Sequence, residues 1–550
     1  MSVNVDKVEA SPAPAHLEDA ALQEAETNDV KADNNLAIHE MSPEEKAEAL
    51  ATAYMSDPGV DYRSRRGIQL ICCLLACLVC GTDSGFDSGA MGAINTMKPF
   101  LSYFGLQEAA ASTGIWFGVY TVGGVSAFFL NFVLPDKLGR RKAMGICNTI
   151  LIMGLLLTGL AKNSAMFLLG RYFMGLGAVA ASAAARSYIV ELAPAKHRGF
   201  FLGSYNVVQT MGSILCSGSA IGFGHMADNW AWRGLLLLGL YGPIINISCL
   251  YFIPESPRWL YARGRTDEAL AVITKYHSRH NDPQSPLVQL EIQEIAEEMR
   301  TMGSAERWWD AKVLFATRAN RYRMGLAAMI GFWGQLLGPA TTYFTVLLTA
   351  AGITDTERQR VLNFINSVCI TLSGTVGTLM MDRVGRKPVT IFGTASAAVG
   401  MLIIGGLLSR QHEKNYANAG VAFIYLYGIF TQVAWVPVNN LYPAEIMTFD
   451  IRAKALAFQA VCTQTAGLIN TFGVPPALVA LNWKLYFIFA AWDVLGVAVQ
   501  FFFMVETKGI PLEQMEDIFT DPSPRHKAAA IIKAKDDKLK EEKRARATVA

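Results

Sequence analysis

Twelve runs of about twenty mostly apolar residues divide this sequence, and each run is long enough to cross a bilayer as an α-helix. Hydrophobic residues make up 52% of the 550 residues, and charged residues make up only 17%. We therefore expect an all-α membrane protein with twelve transmembrane helices, which excludes a large water-soluble enzyme. The expected spans are 68–93, 112–133, 142–161, 165–189, 199–222, 232–253, 323–347, 360–381, 388–408, 419–441, 453–478 and 484–504.

A charged motif between two of these runs occurs twice, as LPDKLGRRK at 134–142 and as MDRVGRKP at 381–388. Two further landmarks recur in the same order, and each second copy follows its first by roughly 250 residues. This duplication predicts two six-helix pseudo-repeats. The matched pairs are Asp136–Arg140 with Asp382–Arg386, Glu191–Arg198 with Glu445–Arg452, and PESPR (254–258) with VETKG (505–509).

The two repeats predict two membrane bundles that are joined by a polar segment. Before the first bundle the chain is rich in Ala, Glu, Asp, Asn and Lys and has no secretory signal pattern, so we expect it to be mostly disordered. The joining segment contains two amphipathic helical patterns, DEALAVITKYH and LEIQEIAEEMR. The expected divisions are an N-terminal tail at 1–66, bundles at 67–253 and 323–505, a helical linker at 254–322, and a C-terminal tail at 506–550.

Basic residues predict how the chain is oriented in the membrane. Arg63, Arg65 and Arg66 precede the first apolar run, and Lys and Arg concentrate on the cytoplasmic side of membranes. An even number of spans then places both termini and the linker in the cytoplasm. We expect a multi-pass protein of the plasma membrane. The basic clusters that share the cytoplasmic side in this arrangement are 137–142, 196–198, 383–387 and 452–454.

Neither the cysteines nor the net charge indicates a cofactor. All nine cysteines fall inside the apolar runs, where thiols are typical packing residues, and no His/Cys spacing matches a metal site. The formal net charge of +2 does not indicate a nucleic-acid partner. We therefore expect no metal and no cofactor, and the expected partners are membrane lipids and a small-molecule substrate.

Two acidic residues, Asp83 and Asp87, lie inside the first span, where a carboxylate costs roughly 2.5–3.5 kcal/mol unless it has a partner or a water-filled cavity. Arg171 in the fourth span is a candidate partner. At 1.5 Å per residue, Asp83 lies about 24 Å from the cytoplasmic face, and Asp87 and Arg171 both lie about 30 Å from it. The three side chains are therefore expected to meet. Arg186, at about 7 Å by the same measure, is not expected to reach the acids.

The sequence resembles the sugar porters of the major facilitator superfamily over about 67–510. The resemblance is carried by LPDKLGRRK, MDRVGRKP, PESPRWL (254–260), the GR…ELAP…RG run at 170–199 and ETKG (506–509), and LYPAEIMTFDIRAKALAF (441–458) is similar to the fungal hexose and lactose-permease-like branch. This resemblance implies the major facilitator fold and alternating-access transport of a sugar, oligosaccharide or polyol, often by proton symport. It also implies that Asp83 is the proton-coupling acid.

The charged residues of the repeated landmarks lie at the predicted cytoplasmic helix ends. Charge pairs there can hold the two halves together when the cavity faces outward, and separate when it faces inward. Alternatively, these residues only fix the orientation and interact with lipid headgroups. The gating candidates are Asp136, Arg140, Glu191, Arg198, Glu255, Arg258, Asp382, Arg386, Glu445 and Arg452.

For the buried acids, proton coupling through Asp83 and Arg171 competes with a fixed structural ion pair. The resembling family has an apolar residue at the position of Asp87, so this acid either shares the proton or lines the outer vestibule. The substrate cavity is expected near the membrane midplane, where amide and hydroxyl groups recognise sugars, although each amide could instead bridge helices. The substrate candidates are Asn206, Gln209, Gln335, Thr341, Asn440 and Gln464.

Departures from the resembling pattern leave three functions open. The resembling pattern has two consecutive glutamines followed by an Asn. Here Gly334 stands in place of the first Gln, Ala340 stands in place of the Asn, and Asn440 occupies the position of a sugar-stacking Trp. The first function is a proton-coupled sugar or polyol importer. The second is a transporter of another ligand, either an exporter of a secondary metabolite or a carrier of a sugar acid or quinate-like acid that contacts Arg186. The third is a non-transporting nutrient sensor, which the C-terminal tail of about 40 residues disfavours.

Overall fold

The computed structural model describes most of the chain between residues 52 and 534. The described ranges are 52–106, 113–194, 197–303, 311–338, 348, 353, 355–410, 414–447, 451–508, 510 and 514–534. The N-terminal segment 1–51 and the final residues 535–550, both assigned to tails, lie outside them.

The first repeat contains six membrane-crossing segments, of which the sixth is divided. A short helix, α2, follows the first segment on the face opposite the charged motif. The helices are α1 (Arg65–Ile94), α2 (Lys98–Phe104), α3 (Thr113–Leu138), α4 (Arg140–Gly159), α5 (Ser164–Leu192), α6 (Arg198–Phe223), α7 (Trp230–Leu238) and α8 (Tyr241–Leu250).

A polar helical segment and the second repeat follow. Between the repeats lie α9 (Pro257–Ala262), α10 (Thr266–His277), α11 (Pro286–Gly303) and a 3-10 turn at Ala311–Phe315. The second repeat and the chain after it contain α12 (Arg318–Gln335), α13 (Thr356–Val384), α14 (Arg386–Leu408), α15 (Lys414–Ile446), α16 (Arg452–Leu481), α17 (Lys484–Phe503) and α18 (Gln514–Thr520).

Nine helical segments of the described chain are long and apolar enough to cross a membrane. The other three predicted spans correspond to α6, α12 and α16. Helices α6 and α16 have 26 and 30 residues, enough for about 39 and 45 Å. Their Asn, Gln, Ser and Thr side chains lower the mean hydropathy, and only part of the span predicted at 323–347 lies within the described residues. The chain therefore has the predicted all-α architecture of twelve membrane helices.

Polar residues at helix N-termini define where several helices begin. Ser64 accepts a hydrogen bond from the N–H of Gly67 before α1, and Asn163 accepts one from Met166 before α5. Thr317 caps α12 in the same way. These side chains satisfy N–H groups that a helix cannot pair internally.

The sixth crossing segment is divided because its backbone changes hydrogen-bonding pattern at Gly239 and Leu240. Their N–H groups bond to the carbonyls of Leu236 and Leu237, three residues back, which is a tighter turn than the α-helix. Pro243 follows in the first turn of α8, where its missing N–H costs nothing. The sequence pattern predicted one continuous span here.

The two repeats pack against each other through two helix pairs. Helix α3 lies along α16, and α6 lies along α13. Small residues permit close approach, since Gly114 lies against Thr471 and Pro475, and Gly218 lies against Phe364. The halves therefore meet along two seams on either side of the region where a central cavity is expected.

Candidate functional site

Arg171 of α5 forms a buried ion pair with Asp87 of α1. The Arg171 side chain is only 2% exposed, and its guanidinium carbon lies 4.8 Å from the ring centre of Tyr120 on α3. Removing one partner of such a pair would leave an uncompensated buried charge. The counted depths placed Asp87 and Arg171 at the same level, and the structure brings these two side chains together.

Asp83, one helical turn before Asp87, has a different environment. It is 8% exposed, and neither of its carboxylate oxygens accepts a hydrogen bond within the described part of the chain. The carboxyl group lies against Gly242 at the start of α8, where the absence of a Cβ leaves the room it occupies. In this conformation Arg171 therefore pairs with Asp87, whereas Asp83 accepts no hydrogen bond from the described residues.

The first copy of the charged motif forms a compact network at one end of the N-terminal half. The Arg140 Nε lies 3.0 Å from Glu191 Oε2, and its NH1 lies 3.5 Å from Asp136 Oδ1. The same NH1 donates to the carbonyl of Pro135. Arg140 thus joins the end of α3 to the end of α5.

Glu255 extends this network to the segment that follows α8. Its carboxylate accepts the backbone N–H of Arg141 at 3.1 Å and that of Ser256 at 3.0 Å. The Ser256 hydroxyl donates to Glu191. Glu255 therefore accepts hydrogen bonds at the starts of α4 and α9, where negative charge is favourable, and Glu191 at the end of α5 is joined to the same two helix starts through the side chains of Arg140 and Ser256.

The second copy reproduces this network in the C-terminal half. Arg386 NH2 lies 2.7 Å from Glu445 Oε1, and Arg386 NH1 donates to the carbonyl of Met381. Glu506 accepts the backbone N–H groups of Arg386 and Lys387 at 2.9 and 3.0 Å. The Thr507 hydroxyl, the counterpart of Ser256, donates to Glu445 at 2.6 Å. The internal repeat thus extends from sequence spacing to individual hydrogen bonds.

Each network is built around a glycine with positive φ. Gly139 has φ of +92° and Gly385 has φ of +113°. A Cβ at Gly385 would lie 2.8 Å from Glu506 Oε2, and a Cβ at Gly139 would also collide with the Glu255 carboxylate. Only glycine adopts this backbone without strain and leaves room for the carboxylate.

The ion pairs of both networks join residues of the same half. Arg258 interacts with neighbouring groups at the same end of the molecule. Three further gating candidates begin or end membrane helices, but their side chains lie outside the described residues; these are Arg198, Asp382 and Arg452.

The substrate candidates of the N-terminal half lie on α6. Asn206 and Gln209 are half-buried, and the backbone of Gln209 packs directly against Gly85 of α1. Asn206 also interacts with neighbouring groups. The two amides therefore lie one turn from each other on a helix that contacts both α1 and the C-terminal half.

Amides of the C-terminal half connect α12, α15 and α16. Gln335 is the last residue of α12, and its carbonyl accepts a hydrogen bond from Asn470 at 2.9 Å. Gln459 donates to Asn439, whose Oδ1 lies 3.5 Å from the position of a Cβ at Gly334. Sequence reasoning named Gln335 but missed the other three amides, which a search for Asn and Gln inside apolar runs would have found.

Gln464 lies at the seam between the halves, with its amide nitrogen against Gly124 of α3. Trp435 of α15 is buried beside Gly334, more than a turn before Asn440. The side chain of Asn440 and the whole of Thr341 lie outside the described residues.

Two further buried polar groups were not predicted as site residues. Asn148 donates to Asn246 at 2.7 Å, and Asn246 donates to the carbonyl of Ala76, which ties α4, α8 and α1 together. Asn246 begins an Asn-Ile-Ser triplet inside α8, and its side chain is fully buried. The second group is Asp493, in the middle of α17.

All nine cysteines are free thiols; six of them are buried, and Cys72 is exposed. Within the described residues, no group of three His, Cys, Asp or Glu side chains is arranged to hold a metal ion. The buried polar groups described above are carboxyl, amide and guanidinium groups, which are chemically able to bind a proton or a hydroxylated ligand.

The two pseudo-repeats and their duplicated charged networks define a membrane transporter of the major facilitator class. A family model described as sugar (and other) transporter matches residues 72–519. The chain belongs to this family, and it is a transporter and not an enzyme. This confirms the family resemblance and the function class expected from the sequence.

Curated relatives include fungal transporters. The low-affinity glucose transporter HXT1 of Saccharomyces cerevisiae is 26% identical over 489 residues, covering 84% of this chain and 83% of the yeast protein. The MFS-type transporter criB of Aspergillus cristatus is 26% identical over 478 residues, covering 84% of this chain and 96% of its own.

The solved structures that share the fold include the xylose transporter XylE from E. coli. Its inward open conformation superimposes with a TM-score of 0.66 at 21% sequence identity, covering 82% of this chain and 99% of XylE. This likeness confirms the predicted fold of two six-helix repeats.

Proposed function

We propose that this transporter carries a sugar, oligosaccharide or polyol by alternating access, and that it couples this movement to a proton. The observation that carries the proposal is the pair of acids on α1, of which Asp87 pairs with Arg171 and Asp83 accepts no hydrogen bond from the described residues. The relatives named as glucose transporters and the proton:xylose symporter XylE support the substrate class and the coupling ion.

Asp83 is the proton carrier in this scheme. A buried carboxylate without a partner is costly, so Asp83 holds its proton while Arg171 stays with Asp87. If Arg171 moves toward Asp83 in another conformation, the opposite charge favours release of that proton. Asp87 then acts as the alternative partner of Arg171, which gives this extra acid a role in the exchange.

The two charged networks act as gates in the same cycle. In the described conformation Arg140 and Arg386 pair with acids of their own halves. We expect these groups to form contacts across the halves when the opposite end of the cavity opens. The end that carries both networks faces the cytoplasm in this proposal, with both termini on that side and the protein in the plasma membrane.

The substrate lies between the two halves, near the middle of the membrane. Asn206 and Gln209 lie on α6, and Gln335 and Gln464 lie on α12 and α16 of the C-terminal half. Asn440 belongs to the proposed set by its place in the sequence. Their donors and acceptors match sugar hydroxyl groups, and the buried indole of Trp435 supplies an aromatic wall. Thr341 completes the proposed set.

The proposal is tested by Asp83→Asn in protein reconstituted into liposomes. The amide cannot accept a proton, so we expect loss of sugar accumulation against a gradient, while exchange of labelled for unlabelled sugar continues. Asp228→Asn is the matched control, because Asp228 is exposed between α6 and α7. Accumulation by Asp83→Asn equal to the wild type would refute the proton role.

One observation favours a second candidate, a sugar acid as substrate. The guanidinium of Arg186 lies over the ring of Tyr205 at 5.5 Å, and its side chain is half-buried. A cation held in this way could bind a carboxylate. Competition between sugar acids and neutral sugars, measured with Arg186→Gln and wild type, distinguishes the two candidates, because only acid transport should depend on the Arg186 charge.

A further inference from the structure

Asp493 is an acid buried in the middle of a membrane helix of the C-terminal half. It lies at the centre of the 20-residue helix α17 and is 0% exposed. Neither of its carboxylate oxygens accepts a hydrogen bond from a described residue. An acid in this position is costly in its charged form, and the repeated networks described above do not use it.

Aromatic groups enclose the region around Asp493. The indole of Trp333 on α12 stacks on Trp492 of α17, with ring centres 4.6 Å apart and planes 9° apart. One turn further along α17, Gly496 lies directly under the Trp333 ring. The buried phenol of Tyr427 on α15 donates its hydrogen bond to the carbonyl of Leu337.

The helices around α17 present few ionisable groups to Asp493. No ionisable side chain follows Arg323 in α12 or Lys387 in α14, and both of these residues lie near the starts of their helices. Apart from the charged residues near their ends, the ionisable side chains of α15 are tyrosines such as Tyr427, and that of α16 is Cys462. A cation that could neutralise a charged Asp493 is therefore absent from these stretches of sequence.

The internal repeat relates Asp493 to the site of Asp83. Trp232 and Glu255 correspond to Trp483 and Glu506 in the sixth segments of the two halves, and the same interval relates Gly242 to Asp493. Gly242 is the residue against which the carboxyl of Asp83 lies. Each half thus has one buried carboxyl group that accepts no hydrogen bond from the described residues. Asp83 lies against the last segment of its half, and Asp493 lies on the last segment of its half, next to the Trp492 ring that stacks on α12.

We propose that Asp493 is a second proton-binding site, which gives the C-terminal half its own titrating acid. The inference rests on the proposed function, because it adds a proton to the same transport cycle. In the described conformation the carboxylic acid is intact. When α12 and α17 separate and admit water, the O–H bond breaks, the proton passes to water, and the carboxylate becomes hydrated. Reclosure requires a proton from the aqueous phase.

The first test measures the sugar accumulation ratio at equilibrium in proteoliposomes with an imposed proton gradient of about one pH unit. Each coupled proton multiplies the equilibrium accumulation ratio by the proton concentration ratio, which is about tenfold for one pH unit. Asp493→Asn removes one coupled proton, so it should lower the accumulation ratio about tenfold. The end point does not depend on turnover rate, so slow uptake by the variant is sufficient. An unchanged ratio would overturn a coupled proton at Asp493.

The second test does not require transport. The infrared difference spectrum between acid and alkaline pH should contain a carboxylic-acid carbonyl band that disappears in Asp493→Asn and shifts in Asp493→Glu, while a separate band disappears in Asp83→Asn. If only the Asp83 band exists, the inference fails and the proposed function stands. If the Asp83 band is missing and the Asp493 band is present, the proposed role of Asp83 fails, and Asp493 remains a proton site.

Discussion

Single residues explain why each half contains the same charged network. Gly139 and Gly385 place a helix N-terminus under a carboxylate, and Arg140 and Arg386 bridge that helix to the next acid. The backbone path requires a positive φ at each glycine, and the nearby carboxylate occupies the space that a Cβ would fill.

Replacing either motif glycine should therefore destabilise its half. We expect Gly139→Ala and Gly385→Ala each to lower the free energy of unfolding by about 1–3 kcal/mol, because a β-carbon strains the backbone and displaces Glu255 or Glu506. Chemical denaturation of the purified protein in detergent measures this. Gly406→Ala is the control, since a β-carbon there meets no atom within 4 Å. Equal stability of all three variants would contradict the packing argument.

At the residue scale, the sequence identified buried charged residues better than it predicted which of them form pairs. The shared depth of Asp87 and Arg171 was visible from residue counting, and their ion pair follows from it. The position of the Asp83 carboxyl, which accepts no hydrogen bond from the described residues, depends on the space at Gly242, and residue counting does not reveal that space. Asp493 could have been found, because the rule that singled out Asp83, an acid inside an apolar run, applies equally to it.

Among the secondary-structure elements, the short segment before α1 is attached to the helical segment between the halves. Asp57 accepts hydrogen bonds from the hydroxyls of Ser278 and Ser285, both at 2.8 Å, and from the N–H of Arg279 at 3.1 Å. Burial raises the pKa of Asp57, but these bonds and one from the N–H of Gly59 outweigh it, so its pKa lies below the usual value.

This attachment should depend on pH. Because the pKa of Asp57 is lowered, its stabilisation is present above the ordinary Asp range and is lost as the pH falls through the lowered value. The protection of the Gly59 and Arg279 amides against hydrogen exchange, taken relative to the intrinsic exchange rate at each pH, should therefore fall at acid pH. At neutral pH, Asp57→Asn should lower their opening free energy by about 1.5–3 kcal/mol.

Asp61→Asn provides the matched control for this experiment, because Asp61 bonds only locally, to the N–H of Arg63, among the contacts described here. Exchange at Gly59 and Arg279 that is equally fast in both variants would contradict an anchoring role for Asp57.

Most elements were predictable because apolar run length determines where helices cross the membrane. The division of the sixth segment was not, since it depends on two tight backbone turns at Gly239 and Leu240. The docking of Asp57 was also invisible, because it joins residues more than 200 positions apart through neutral serines.

For the whole molecule, the two seams determine how the halves can move. On the face opposite the charged networks, His225 Nε2 after α6 lies 3.9 Å from Glu357 Oε1 at the start of α13. Gly224 lies beside the guanidinium of Arg360 at the same place. The halves are therefore in contact at this face, and alternating access requires these contacts to open.

Holding this face closed should stop transport. A short bifunctional thiol reagent that links His225→Cys to Glu357→Cys, in a background without native cysteines, should abolish sugar uptake, because it joins residues of different halves. The same reagent on Arg265→Cys and Glu268→Cys, which face each other within α10, should leave uptake intact. Normal uptake with a fully formed link between residues 225 and 357 would exclude movement of the halves at this face.

Sugar-dependent proton movement tests the central claim most directly. Proteoliposomes containing the full chain and an internal pH indicator are mixed with a panel of neutral sugars, polyols and sugar acids without an imposed gradient. At least one compound should enter and acidify the interior, and Asp83→Asn should abolish the acidification. Entry of a substrate with no change in internal pH would contradict the account.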